Sequence, residues 1–148
     1  MTKSISNTRK KRLTIGAFFV SLMLLLVNQL GILSDENTLA DLVAEQQSGV
    51  MIRLDGEVIR LLEQDNIGRR HQRFILKHRD FTVLVAHNID LARPVPLSVG
   101  DQVTVYGQYE WNPQGGVIHW THDDPQGERD GGWIKHDNQT YGTELSKR

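Results

Sequence analysis

The 148-residue chain contains no cysteine. That excludes disulfides, thiolate-bound zinc or iron–sulfur clusters, a thiol nucleophile and a lipid-modified N-terminal cysteine. Proline is scarce at 4 residues and glycine, at 13, is ordinary, so the chain is neither collagen-like nor low-complexity. Familiar catalytic signatures are missing too. There is no Gly-x-Ser-x-Gly elbow, no phosphate-cradling glycine loop and no His-Glu-x-x-His. No internal repeat is visible, and the length leaves room for one hydrophobic core.

Acidic residues are absent before Asp35, and this absence organises the chain. The formal net charge is only −1, but the first 34 residues carry +5, from Lys3, Arg9, Lys10, Lys11 and Arg12. The remainder holds 12 basic against 18 acidic residues, a charge of −6. Between the basic cluster and Asp35 lies Leu13–Leu33, with no charged side chain. As a helix these residues would span about 31 Å, close to the thickness of a bilayer core. The stretch reads as a transmembrane signal anchor, with a cleaved secretory signal as the competing reading. Small residues spaced for cleavage match poorly at Gly31-Ile32-Leu33-Ser34. Either reading exports the body. The positive-inside rule keeps residues 1–12 in the cytoplasm and sends everything after Ser34 across the membrane, which in a Gram-negative cell means an inner-membrane protein facing the periplasm.

The exported body begins with a short helix expected over Ser34–Ser48. Leu39, Leu42 and Val43 fall at helical spacing, Asp35 and Glu36 suit its start, and Gly49 is a candidate stop. Strand patterns follow. Ile52, Leu54, Gly56 and Val58 alternate, and the phase then shifts through Ile59, Leu61 and Leu62, so that Gly56 marks a bend or bulge. Further strands are expected at Arg73–Lys77, Phe81–Ala86, Asp101–Tyr109 and Val117–Thr121, with a small hairpin from Trp133–His136 to Gln139–Tyr141. Residues 143–148 read as a tail. A long, bent first strand followed by four shorter ones suits a small closed barrel, and Gly100-Asp101-x-Val103-x-Val105-x-Gly107 resembles the fourth strand of oligonucleotide/oligosaccharide-binding (OB) folds. The expected fold is therefore mainly β: an OB-like five-stranded barrel over residues 49–142, preceded by a transmembrane helix at 13–33 and one short helix at 34–48.

Several stretches are more specific. Arg70-His71-Gln72-Arg73-Phe74, Ala86-His87-Asn88-Ile89-Asp90-Leu91, Tyr109-Glu110-Trp111-Asn112, the run Gly115 to His122, and Gly132-Trp133-Ile134 together resemble an uncharacterised bacterial family, domain-of-unknown-function family 3465. The resemblance spans about Ser48 to Tyr141 and implies no activity.

The residues themselves offer four kinds of chemistry. His71, His87, His119, His122, Asp123 and Asp124 are ligand types for zinc or manganese, and His119, His122 and Asp123 form the tightest candidate metal set. On a continuous strand His119 and His122 face opposite ways, so sharing a metal requires the strand to end near Thr121. The same imidazoles suit proton transfer near neutral pH, with Arg73 able to stabilise developing negative charge. All six Trp and Tyr residues fall between Tyr106 and Tyr141, and of these Trp111, beside a turn, is the best placed to stack on a ligand. The acidic run Asp123–Asp130 does not follow the EF-hand order. The −6 body disfavours a nucleic-acid partner. The expected function is binding of a small or polymeric envelope ligand, or of a partner protein, on a surface built from His71, Arg73, His87, Trp111, His119 and His122. The alternative is a metal-dependent hydrolase of phosphoesterase type that uses histidines and Asp123 or Asp124.

Overall fold

The structure is a computed structural model that describes residues 38–65 and 68–142. The expected cytoplasmic segment, membrane span and C-terminal tail lie outside the described residues, as does the start of the helix expected from Ser34. Among the described residues no helix is long and apolar enough to cross a membrane. The described residues from Leu39 onward belong to one compact unit.

One helix and seven strands follow in order: α1 (Thr38–Ala44), β1 (Val50–Asp65), β2 (His71–His78), β3 (Phe81–Asn88), β4 (Gln102–Glu110), β5 (Val117–His119), β6 (Trp133–His136) and β7 (Gln139–Tyr141). α1 turns Leu39 and Leu42 into the core. It ends earlier than the glycine signal suggests. Gln46 takes a left-handed conformation at φ 54°, the Gln47 N–H reaches the Leu42 carbonyl (2.9 Å), and the Gln46 N–H reaches Val43 (3.3 Å). These two bonds are a Schellman closure, which satisfies carbonyls left over at a helix end. Gly49 instead leads into β1, donating its N–H to the Tyr109 carbonyl (2.9 Å).

β1 is long because it serves two neighbours. Its first half, Val50–Glu57, pairs with β4, and its second half, Glu57–Asp65, pairs with β2. The hand-over occurs beside Gly56, where a Cβ would collide with the Lys77 carbonyl oxygen and press on the Leu76 side chain. Only glycine lets the two strands approach so closely there. A register irregularity between Val58 and Arg60 produces the shift in apolar phase, and Ile59 and Leu61 consequently face outward.

β1–β2, β2–β3, β3–β5, β5–β4 and β4–β1 are all paired, so five strands close a ring. The β3–β5 pair is parallel and the others are antiparallel. β4 divides its second edge between two strands, giving Gln108–Glu110 to β5 and Thr104–Tyr106 to β6. The alternate residues that face inward, among them Leu54, Val58, Phe74, Leu76, Val85, Val105, Ile118 and Ile134, form the core with the α1 leucines. β5 stops at His119, not at Thr121, because Trp120 adopts a left-handed backbone at φ 56°.

Candidate functional site

The left-handed turn at Trp120 decides where the histidines go. After it, Thr121 and His122 fold inward and are buried. Thr121 meets His87, which enters from β3 and is fully buried. The His87 ring is bonded at both nitrogens: Nε2 lies 3.1 Å from the Arg93 carbonyl and Nδ1 lies 2.8 Å from Thr121 Oγ1. A carbonyl only accepts, so Nε2 carries the proton, and Nδ1 accepts from the threonine hydroxyl. This is a neutral imidazole. Burial pushes its pKa down to about 4, with His122 adding to the drop against the opposing pull of the Arg93 carbonyl. His122 is also lowered, mainly by burial, and its Nδ1–H donates to the Asp123 carbonyl (2.7 Å).

The other expected site residues disperse. Register sets His71 opposite Asn88 and Gln72 opposite His87, so His71 and His87 fall on opposite faces of the β2–β3 pair. Arg73 spends its guanidinium on the Glu63 carbonyl, with Nε and Nη2 both at 3.1 Å, and thereby ties down the irregular end of β1. His119 turns to Glu110, 3.5 Å away. Burial raises the Glu110 pKa, but hydrogen bonds from Gln108, His119 and Ser48 outweigh it and leave a net lowering. Trp111 packs against the core beyond the start of β5, the opposite end from Thr121, and its N–H donates to Ser48 Oγ (2.9 Å). Asp124 accepts the backbone N–H groups of Gln126, Glu128 and Arg129, which close its own loop and lower its pKa. His119, His122 and Asp123 are not gathered. Among the described residues no group of three or more His, Asp or Glu is placed to hold a metal ion.

A different region has open space and unspent polar groups. A cleft of about 500 Å³ lies at the β4–β6 end of the sheet, lined by Asp55, Gln102, Thr104, Lys135, His136 and Asn138. That volume is in the range of small-ligand sites. A second cleft of about 460 Å³ shares Asp55, Gly56 and Gln102 and runs toward His78. Three strands build the first cleft. Asp55 of β1 pairs with Thr104 of β4, which pairs with Lys135 of β6, so the three side chains form one outward-facing row. Thr104 Oγ1 donates to Asp55 Oδ1 (2.5 Å). The next row, offset by two residues on each strand, is Arg53, Tyr106 and Trp133. The two rings sit 5.8 Å apart at a 39° tilt, and both the Arg53 guanidinium and the Lys135 ammonium lie 5.8 Å from the Trp133 ring. At the cleft floor His136 is almost fully buried. Its Nε2 meets Asp101 (3.0 Å), and its Nδ1 has no hydrogen-bond partner among the described residues.

The profile of the family described as "Protein of unknown function (DUF3465)" matches residues 21–142. The chain belongs to this family. The match covers the whole strand region, including both rows of the outer face, and bears out the resemblance read from the His- and Trp-containing stretches. No curated protein matches this DUF3465 chain. No sequence signal singles out the cleft residues, because Asp55, Thr104 and Lys135 are ordinary surface types, far apart in the chain, that only strand register assembles. The clustering of Trp and Tyr after Tyr106 was the one signal pointing toward the aromatic row.

Proposed function

We propose that this chain is a binding domain, an OB-like barrel held on the outer side of a membrane by its Leu13–Leu33 stretch, that takes a ligand on the β1–β4–β6 face. The strand order of the ring, 1-2-3-5-4-1 with a parallel β3–β5 pair, supports the barrel reading, since it is the connectivity of a five-stranded Greek-key barrel. The observation that favours binding over catalysis is the use made of three of the six imidazoles. His87 bonds at both nitrogens, while His122 and His78 each give Nδ1 to a backbone carbonyl. Groups bound in this way hold the fold together and have little left to offer a reaction. The unspent donors and acceptors lie instead around the cleft.

Amide hydrogen exchange on the full-length protein, with and without a solubilised envelope fraction, tests this reading. Slowed exchange is expected at 102–106 and 133–138. Unchanged exchange there, or protection confined to the His71 and His119 surfaces, overturns it.

A further inference from the structure

We infer that the ligand of the β1–β4–β6 face is a neutral, hydroxyl-rich glycan, stacked on the Trp133–Tyr106 row with its hydroxyls in the Asp55–Asn138 cleft. This inference rests on the binding reading above and specifies its ligand class.

The first ground is the unspent capacity of the surface. The Gln102 and Asn138 side chains, the Tyr106 hydroxyl and the Trp133 indole N–H make no hydrogen bond to another described residue. Amides that both donate and accept are suited to sugar hydroxyls, which do the same. Asp55 retains acceptor capacity beyond its bond from Thr104.

The second ground is arrangement. Tyr106 and Trp133 are neighbours across paired strands, and they adjoin the polar row without a gap. A pyranose ring has an apolar C–H face and a polar rim, so an aromatic surface beside a cluster of amides and a carboxylate meets both at once.

The third ground is charge. Arg53 and Lys135 on this face are matched by Asp55 and Asp137. A polymer carrying a phosphate on every unit needs a surplus of positive charge, which this patch lacks and which the −6 body does not supply. The local basic residues Arg70 and Arg73 are spent elsewhere, on Asp90 and the Glu63 carbonyl.

The test uses the full-length chain in a zwitterionic detergent without a sugar headgroup. Two probes are titrated, a tetramer of N-acetylglucosamine and an oligo-dT strand, and the Trp133 indole is followed by NMR. The expected result is saturable glycan binding below about 1 mM that shifts the Trp133 signal and changes little with salt. Trp133→Ala and, independently, Gln102→Ala weaken it about tenfold or more. Gln102 is exposed and without a side-chain partner among the described residues, so this second variant leaves the fold intact and keeps the test decisive. Glycan binding that survives both substitutions overturns the inference. So does the absence of saturable glycan binding, or oligo-dT binding with a steep salt dependence in its place. If the glycan fails while the envelope fraction still slows exchange at 133–138, the ligand class is wrong and the binding surface stands. If both fail, both readings fall.

Discussion

His87 shows how one side chain changes meaning between sequence and structure. In the sequence it belongs with His71, His119 and His122 as a ligand or proton carrier. In the fold it is a core residue, kept neutral by burial and oriented by the Arg93 carbonyl and the Thr121 hydroxyl. Its depressed pKa makes it a liability in acid. The unfolded chain binds a proton near pH 6.5 and the folded chain only near 4, so the unfolded state carries more protons in between and stability falls as pH falls through that window. The full effect, complete below about pH 4, is about 3 kcal/mol. Urea midpoints measured from pH 7.5 to 4 should therefore drop for the native protein, and His87→Gln should flatten much of that slope. Some slope will persist, because His122 is shifted in the same direction by the same cause. A slope identical in the variant would show that His87 does not titrate as its burial demands.

At the level of elements, close approach and turn chemistry explain both what the pattern revealed and what it concealed. Apolar patterning located each strand of the ring, though β5 ends two residues before Thr121, and the phase slip after Val58 corresponds to an actual register irregularity. Gly56 was legible as a bend, and its reason is the Lys77 carbonyl that a methyl group would strike. Gly56→Ala should lower stability by about 3 kcal/mol, at the upper end of overpacking costs, as read by thermal unfolding. An unchanged melting temperature would mean that β1 can part from β2 at that point without loss. Of the left-handed residues other than glycine, Gln46 and Trp120 were not legible, because neither belongs to a recognisable turn sequence. Trp120 takes this shape in a context that rewards it: its indole N–H donates to the Asp130 carbonyl (3.1 Å) and Arg129 lies 3.5 Å over its ring. Gln46 has no such reward beyond the helix-closing bonds. Gln46→Gly should therefore stabilise the protein by about 0.5–1 kcal/mol, a gain visible as a higher urea midpoint with unchanged slope. The cleft was hidden for a third reason. No local pattern marks Asp55, Thr104 and Lys135 as neighbours, since their proximity is a property of strand order alone.

Across the whole chain, a ligand of the cell envelope can reach the β region only if that region lies on the outer side of a membrane, as proposed. On the reading proposed above, with Leu13–Leu33 as the span, the +5 of the first 34 residues and the −6 of the remainder would put the strands outside by the positive-inside rule. Fusing alkaline phosphatase, which folds only in an oxidising compartment, after Arg148 should give an active enzyme in a Gram-negative host, while a green fluorescent protein that matures only in the cytoplasm should stay dark in the same position. The absence of cysteine means that the domain itself folds with equal chemistry on either side, so the contrast reports topology and not a disulfide requirement of the domain. Replacing Lys10, Lys11 and Arg12 by alanine removes three of the five positive charges and should reduce phosphatase activity severalfold. Immunoblots of the same cells separate the anchor from the cleaved signal, because an anchor leaves a full-length, carbonate-resistant band and cleavage near Ser34 removes a visible increment of mass. A dark phosphatase fusion with a bright fluorescent one would put the β1–β4–β6 face in the cytoplasm, and an envelope glycan could then no longer reach it.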